Sequence, residues 1–161
     1  MAADDMFLKV EGARLGPIKG ESRDASHKDE IDVIGWSWGM RAQTEMAGAG
    51  KASKAALNEL RVLKRVDGAS TGLMSAMRNN EVIKKAVLTV RKAGGTPLEY
   101  LKITIEKGRI TLLDVQTDAK GDPPGTLEQI SFAFQKIAVE YLPQGADGQK
   151  RGGMTFETEI L

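Results

Sequence analysis

Fragments of several chemical motifs occur in the chain, and each is short of what its chemistry requires. Ala47-Gly48-Ala49-Gly50-Lys51-Ala52 suggests a phosphate-binding loop. That loop needs a glycine five residues before the Gly-Lys pair and a Ser or Thr after it. Glu45 and Ala52 occupy those positions, and no strand–loop–helix context surrounds them, so the segment reads as a loop tip. His27 is the only histidine and there is no cysteine. A transition-metal site would therefore rest on one imidazole and carboxylates. A serine nucleophile would need a matched acid and an oxyanion hole, and the spacing supplies neither. His27 lies in the polar run Ser26-His27-Lys28-Asp29-Glu30 and is expected in a solvated or capping loop. Asp29, Glu30 and Asp32 are the densest carboxylates. Strand alternation separates such neighbours, and calcium needs a denser oxygen set. The chain reads as a non-enzyme with no metal and no cofactor.

Composition narrows the partners. The 23 basic and 22 acidic side chains leave a net charge of +1, which gives no bulk attraction to nucleic acid or to an anionic membrane. The basic stretches Arg61 to Arg65 and Lys84-Lys85 are interleaved with Val62, Leu63, Val66 and Val82. They read as exposed halves of amphipathic strands, without the stacking aromatics of a nucleic-acid face. Without cysteine, the fold must stand on packing and strand pairing. Met1-Ala2-Ala3-Asp4-Asp5 places acids where a signal peptide carries basic residues, and no apolar run is long enough to span a bilayer. The expectation is synthesis in the cytoplasm with no cleavable signal peptide and no membrane insertion. At 161 residues the chain suits one domain over 1–161 with one core.

The elements that would position these residues are strands. Leu101, Ile103 and Ile105 alternate with Lys102, Thr104 and Glu106, the period-2 mark of a strand with one apolar face. Lys107-Gly108 reads as a two-residue turn into a strand over Arg109 to Asp118. With Val82 to Ala93 upstream, this predicts an antiparallel meander. Further strands are expected at Phe7 to Val10, Ile31 to Gln43, Leu60 to Val66, Leu127 to Leu142 and Met154 to Ile160. In 127–142, Ile130, Phe132 and Phe134 share one parity while Ile137, Val139 and Tyr141 share the other. A bulge near Gln135-Lys136 would restore the inward face. One helix is expected over Thr71 to Asn79, capped by Ser70 or Thr71, with Leu73, Met74 and Met77 on one face. The expected fold is all-β, a tight antiparallel barrel of two packed sheets with one short flanking α-helix.

One strand carries more information. Ile34, Trp36, Trp38 and Met40 share one parity, and Val33, Gly35, Ser37 and Gly39 share the other. The bulky parity suits a barrel interior, whereas repeated glycine on the small parity invites a bend or a close neighbour. Core positions are expected at Trp36, Trp38, Leu101, Ile103, Ile105, Phe132 and Phe134.

These residues also carry a resemblance. Lys19-Gly20-Glu21-Ser22, His27-Lys28-Asp29-Glu30-Ile31 and Trp36-Ser37-Trp38-Gly39 resemble the N-terminal pattern of the haemolysin-coregulated protein (Hcp) family of type VI secretion. Thr89-Val90-Arg91-Lys92-Ala93-Gly94-Gly95, Glu99-Tyr100-Leu101 and Pro143-Gln144-Gly145-Ala146-Asp147-Gly148 follow in order. The similarity runs over residues 4–153 and departs in Thr44 to Asn58 and Met154 to Leu161. The resemblance implies hexameric rings that stack into a tube, hold effector proteins in the lumen and work with type VI spike, sheath and baseplate components. It further implies a cytoplasmic protein secreted on firing. Ser37 is carried over as a lumen and cargo contact, and Gly35 and Gly39 follow from its parity. Lys51 and Lys54 are the ring-stacking candidates in the 44–58 loop. Ring contacts need apolar residues on parts of both strand faces, as Ala86, Leu88 and Val90 against Ile83, Val87 and Ala93 provide. A small-ligand-binding β-barrel is the alternative. A hydrolytic effector is disfavoured, since no residues beyond 161 encode the toxin domain that some family members carry.

Overall fold

Alternating burial along the chain produces eleven strands and one helix among the described residues, which in this computed structural model are 4–42, 55–92, 98–121, 124–143 and 153–160. They are β1 (Asp5–Gly12), β2 (Gly16–Ile18), β3 (Ile31–Ser37), β4 (Met40–Arg41), β5 (Ala56–Leu57), β6 (Leu60–Arg65) and α1 (Ser70–Arg78). Then follow β7 (Ile83–Lys92), β8 (Leu98–Asp118), β9 (Gly125–Ala133), β10 (Lys136–Tyr141) and β11 (Met154–Glu159). Antiparallel pairing runs β1–β3–β6–β9–β8–β7 and returns from β7 to β1, closing a six-stranded barrel. β10 and β11 continue the sheet from β8 beyond that circuit and form a flange. Leu8, Ile31, Leu60, Ile83, Leu88, Ile105, Ile130 and Phe132 are sealed at the centre, and Leu73 and Ala76 of α1 join them.

The structure corrects the expected turn at Lys107-Gly108. β8 runs straight through it as one 21-residue strand. Lys107 takes a positive φ of 53°, and a Cβ on Gly108 would lie 2.8 Å from the Ala133 carbonyl oxygen. Ile103 and Ile105 point inward before this site, and Gly108 and Ile110 after it. The opposite chain changes phase at the same level: Phe132 and Phe134 are buried, then Ile137. Arg109 pairs with Ala133, and Glu106 with Lys136, so one edge of β8 serves β9 above the bend and β10 below it. The phase change expected near Gln135 therefore separates two strands, and its partner on β8 escaped the sequence because a Lys-Gly pair also reads as a turn.

A second irregularity corrects the parity of the tryptophan strand. Val33 pairs with Lys64 but Gly35 pairs with Leu63, so Ile34 is the extra residue of a bulge. Ile31 and Val33 face inward before it, and Trp36 and Trp38 pack against the core after it. Ile34 is 42% exposed and Met40 51% exposed, against the interior position expected of both. The strand stops at Ser37, and Met40–Arg41 pairs separately with Ala56–Leu57.

The helix departs in detail. Its cap position is Ala69, with no side-chain cap; Ser70 Oγ instead accepts from the Asp67 N–H at 3.0 Å. Leu73 is buried and Met77 partly buried, while Met74 turns outward.

Candidate functional site

On the outer face of the barrel, strand registry assembles a polar row. Ser37 pairs with Arg61, which pairs with Ser131. Next to it Gly35 pairs with Leu63, then Gln129, then Asp114. Directly paired residues project to the same side, so Gly35 and Ser37 share a surface with Arg61. Ser37 is exposed and Gly35 half-buried. A depression of about 370 Å³ lies on one side of Ser37, lined by Gly35, Arg61, Leu63, Gln116 and Gln129. Another of about 590 Å³ lies on the other, lined by Trp38, Arg41, Leu57, Asn58, Glu59 and Arg61. Gly39 does not join the row; its carbonyl accepts from the Asn58 N–H at 2.9 Å in the connection beyond the strand. Lys51 and Lys54 lie outside the described residues. Of the expected core positions, Ile103, Ile105, Phe132 and Phe134 are buried, and Trp36, Trp38 and Leu101 are partly buried against the core.

The motifs at 19–22 and 27–31 fold onto each other. The Gly20 N–H donates to the Asp29 carbonyl at 2.8 Å, and Ser22 and Asp29–Glu30 exchange two further backbone bonds of 3.0 Å. A Cβ on Gly20 would sit 2.6 Å from the Glu30 carbonyl oxygen, so only glycine fits without a backbone shift. This crossing carries His27 inward, contrary to the expected solvated position: its exposure is 7%. The imidazole stacks on Phe7 at 4.3 Å and 9°. Its Nδ1 lies 3.0 Å from Glu30 Oε2 and its Nε2 2.5 Å from Glu99 Oε1. Burial alone would lower its pKa, but the hydrogen bonds to Glu99 and then Glu30 together outweigh it, and the net shift is upward. Both nitrogens are held by carboxylates, so neither can activate a hydroxyl. Beside this group, Arg91 grips Asp24 at 2.7 Å and Asp5 at 3.0 Å with its guanidinium carbon 5.1 Å from the Phe7 ring centre. The Arg91 hydrogen bond is the main reason the Asp24 carboxyl is held below its ordinary pKa.

Lys64 corrects the view of 61–65 as an exposed basic edge. Arg61 and Arg65 are exposed, but Lys64 is sealed from solvent. Its Nζ lies 2.8 Å from Glu128 Oε1, 2.9 Å from Asp67 Oδ1 and 3.2 Å from Ser70 Oγ. The signal was present in the alternation, since Lys64 shares the parity of Leu60 and Val62, and Glu128 that of Ile130 and Phe132.

A further surface lies on the flange, which includes the C-terminal strand expected over Met154 to Ile160. Ile137 pairs with Thr158, Val139 with Phe156 and Tyr141 with Met154. Along this face burial gives way to exposure: Ile137 is sealed, while Tyr141 is 44%, Phe156 42% and Met154 65% exposed. Met40, Leu57, Phe156 and Ile160 line a cleft of about 590 Å³ there. The reverse face carries Thr104, Lys136, Ala138, Glu140, Thr155 and Glu157. Strand alternation in Met154–Glu159 marks one parity apolar, but not that it stays exposed among the described residues. Among the described residues, no group of three potential metal ligands gathers, and no helix is long and apolar enough to cross a membrane.

Residues 7–141 match the family described as type VI secretion system effector, Hcp. The chain is 39% identical over 154 residues to the protein hcp1 of Pseudomonas aeruginosa, covering 94% of this chain and 91% of that protein. Among solved structures it is similar to one described as a type six secretion system protein, with a TM-score of 0.86 and 25% identity over 98% of this chain and 96% of the other. Hcp1 from Salmonella typhimurium superposes with a TM-score of 0.77 and 30% identity, over 99% and 96% of the two chains.

Proposed function

We propose, from the premise that this chain belongs to the Hcp family of type VI secretion, that it is a non-catalytic ring subunit. In this reading its single domain assembles into hexamers, and the rings stack into a tube whose lumen carries effector proteins. The observation that carries the reading is the flange. Tyr141, Met154, Phe156 and Ile160 extend the apolar face of a closed barrel into solvent, and a contiguous apolar surface of this kind marks a protein contact. A cyclic ring covers it by seating each flange on a different face of the next subunit.

The Ser37 row then lines the lumen, and the 44–58 loop with Lys51 and Lys54 serves ring stacking. Such a tube would meet spike, sheath and baseplate components and leave the cytoplasm with its cargo. The ligand-binding alternative draws no support from the interior, where Leu8, Leu60, Ile105, Ile130 and Phe132 are sealed together. Native mass spectrometry and negative-stain imaging should show six-fold rings; a stable monomer at micromolar concentration would overturn the reading.

A further inference from the structure

The larger depression beside Ser37 has a one-sided chemistry. Hydrogen-bond donors dominate its walls: the Ser37 hydroxyl, the Asn58 amide and the guanidinium groups of Arg41 and Arg61. Both arginines are exposed. The arginine ion pairs among the described residues belong to Arg65 and Arg91, which leaves Arg41 and Arg61 without one. Glu59 is the single carboxylate on these walls, and its Oε1 already accepts from the Thr111 hydroxyl. On the far side of Ser37, the smaller depression shares Arg61 and adds the amides of Gln116 and Gln129, with no acidic side chain in its lining. Two guanidinium groups that form no ion pair among the described residues, set in one concavity, attract anions, and their planar forks match a carboxylate in shape.

We propose that this depression docks the carboxylates of an acidic segment on a cargo protein, with Arg41 and Arg61 as the recognising groups and the Ser37 hydroxyl donating alongside. The inference rests on the lumen reading above and adds the chemical class of the cargo surface. Acidic protein fits better than nucleic acid. A single strand needs exposed aromatic platforms, and Trp38, the one aromatic among the walls of this depression, is partly buried and packed against the core. In a ring each subunit would repeat the site, so modest contacts would sum over a cargo that touches several copies.

The test uses the assembled protein and a short fluorescein-labelled oligoglutamate peptide, read by fluorescence anisotropy, with ring mass checked on the same samples. Oligoglutamate should bind, more weakly as salt is added, and oligoglutamine should not. The double variant Arg41→Gln/Arg61→Gln should keep its rings and lose about tenfold in affinity, the scale of one lost charge-assisted contact. Arg61→Glu should shift the preference toward oligolysine. Equal oligoglutamate binding by wild type and the double variant would overturn the inference, as would an oligothymidylate of equal charge binding as tightly. Intact rings with no oligoglutamate binding would sink this inference and leave the ring reading standing. Absence of rings would sink both.

Discussion

Lys64 and Glu128 are register partners across β6 and β9, 2.8 Å apart, with both side chains fully sealed from solvent. Asp67 and Ser70 close the remaining sides of the ammonium group, so the pair ties the barrel wall to the start of α1. Removing one member leaves a buried charge without its partner. Lys64→Met should therefore cost about 3–5 kcal/mol, read as a lower denaturation midpoint. Lys64→Met/Glu128→Leu should recover much of that loss, and a double variant no more stable than the single one would contradict this account.

His27 should make stability depend on pH near neutrality. Its folded pKa is raised, so the stabilisation is fully present below the unfolded value of about 6.5 and is lost as pH rises through the folded value. Asp24, held low mainly by Arg91, acts in the opposite sense and in a separate, acid window. Melting temperature should fall as pH is raised across neutrality in wild type, and His27→Gln should flatten that part of the profile.

Two glycines should behave oppositely. At Gly20 a Cβ would strike the Glu30 and Ile31 backbone at 2.6 and 2.7 Å, so Gly20→Ala should cost about 1–3 kcal/mol as an overpacking change. At Gly35 nothing lies within 4 Å of the Cβ position, so Gly35→Ala should stay within about 0.5 kcal/mol of wild type. Thermal and chemical unfolding of both variants would check the contrast.

Phe156→Asp should separate assembly from folding. Phe156 is 42% exposed and pairs with Val139 on the apolar side of the flange. A charge there should abolish rings in native mass spectrometry while circular dichroism stays that of the barrel. Rings that persist would remove the flange from the interface.

Ser37→Gln should weaken co-purification of cargo and leave rings intact, since Ser37 is exposed at the end of its row, between the two depressions. Unchanged cargo recovery would take Ser37 off the list of contacts.

Much of the fold was legible because alternation is a local property. Leu101, Ile103 and Ile105 announce their strand in six residues, and the shift from Phe134 to Ile137 announces an irregularity. The bulge at Ile34 was not legible: it shows only when Val33 and Gly35 are set against Lys64 and Leu63, which no inspection of one strand provides. His27 was misplaced for a similar reason. Its burial comes from Phe7 and Glu99, residues distant in sequence, while its local neighbours are all polar. On the outer face, Gly35 and Ser37 could be read from parity, but Arg61 joins them only through pairing.

The paired phase change at Lys107 and Gln135 makes one strand belong to both the barrel and the flange. No linker intervenes, so the flange has a fixed pitch relative to the barrel wall. In a ring of identical subunits that pitch acts as a protractor: it sets the turn from one copy to the next, and hence whether the series closes on itself or runs on as a spiral. A single residue added or removed at Lys107 would shift the register of β8 against its partners and alter that angle. Assembly symmetry would then be encoded by backbone count as much as by the chemistry of the surfaces that touch.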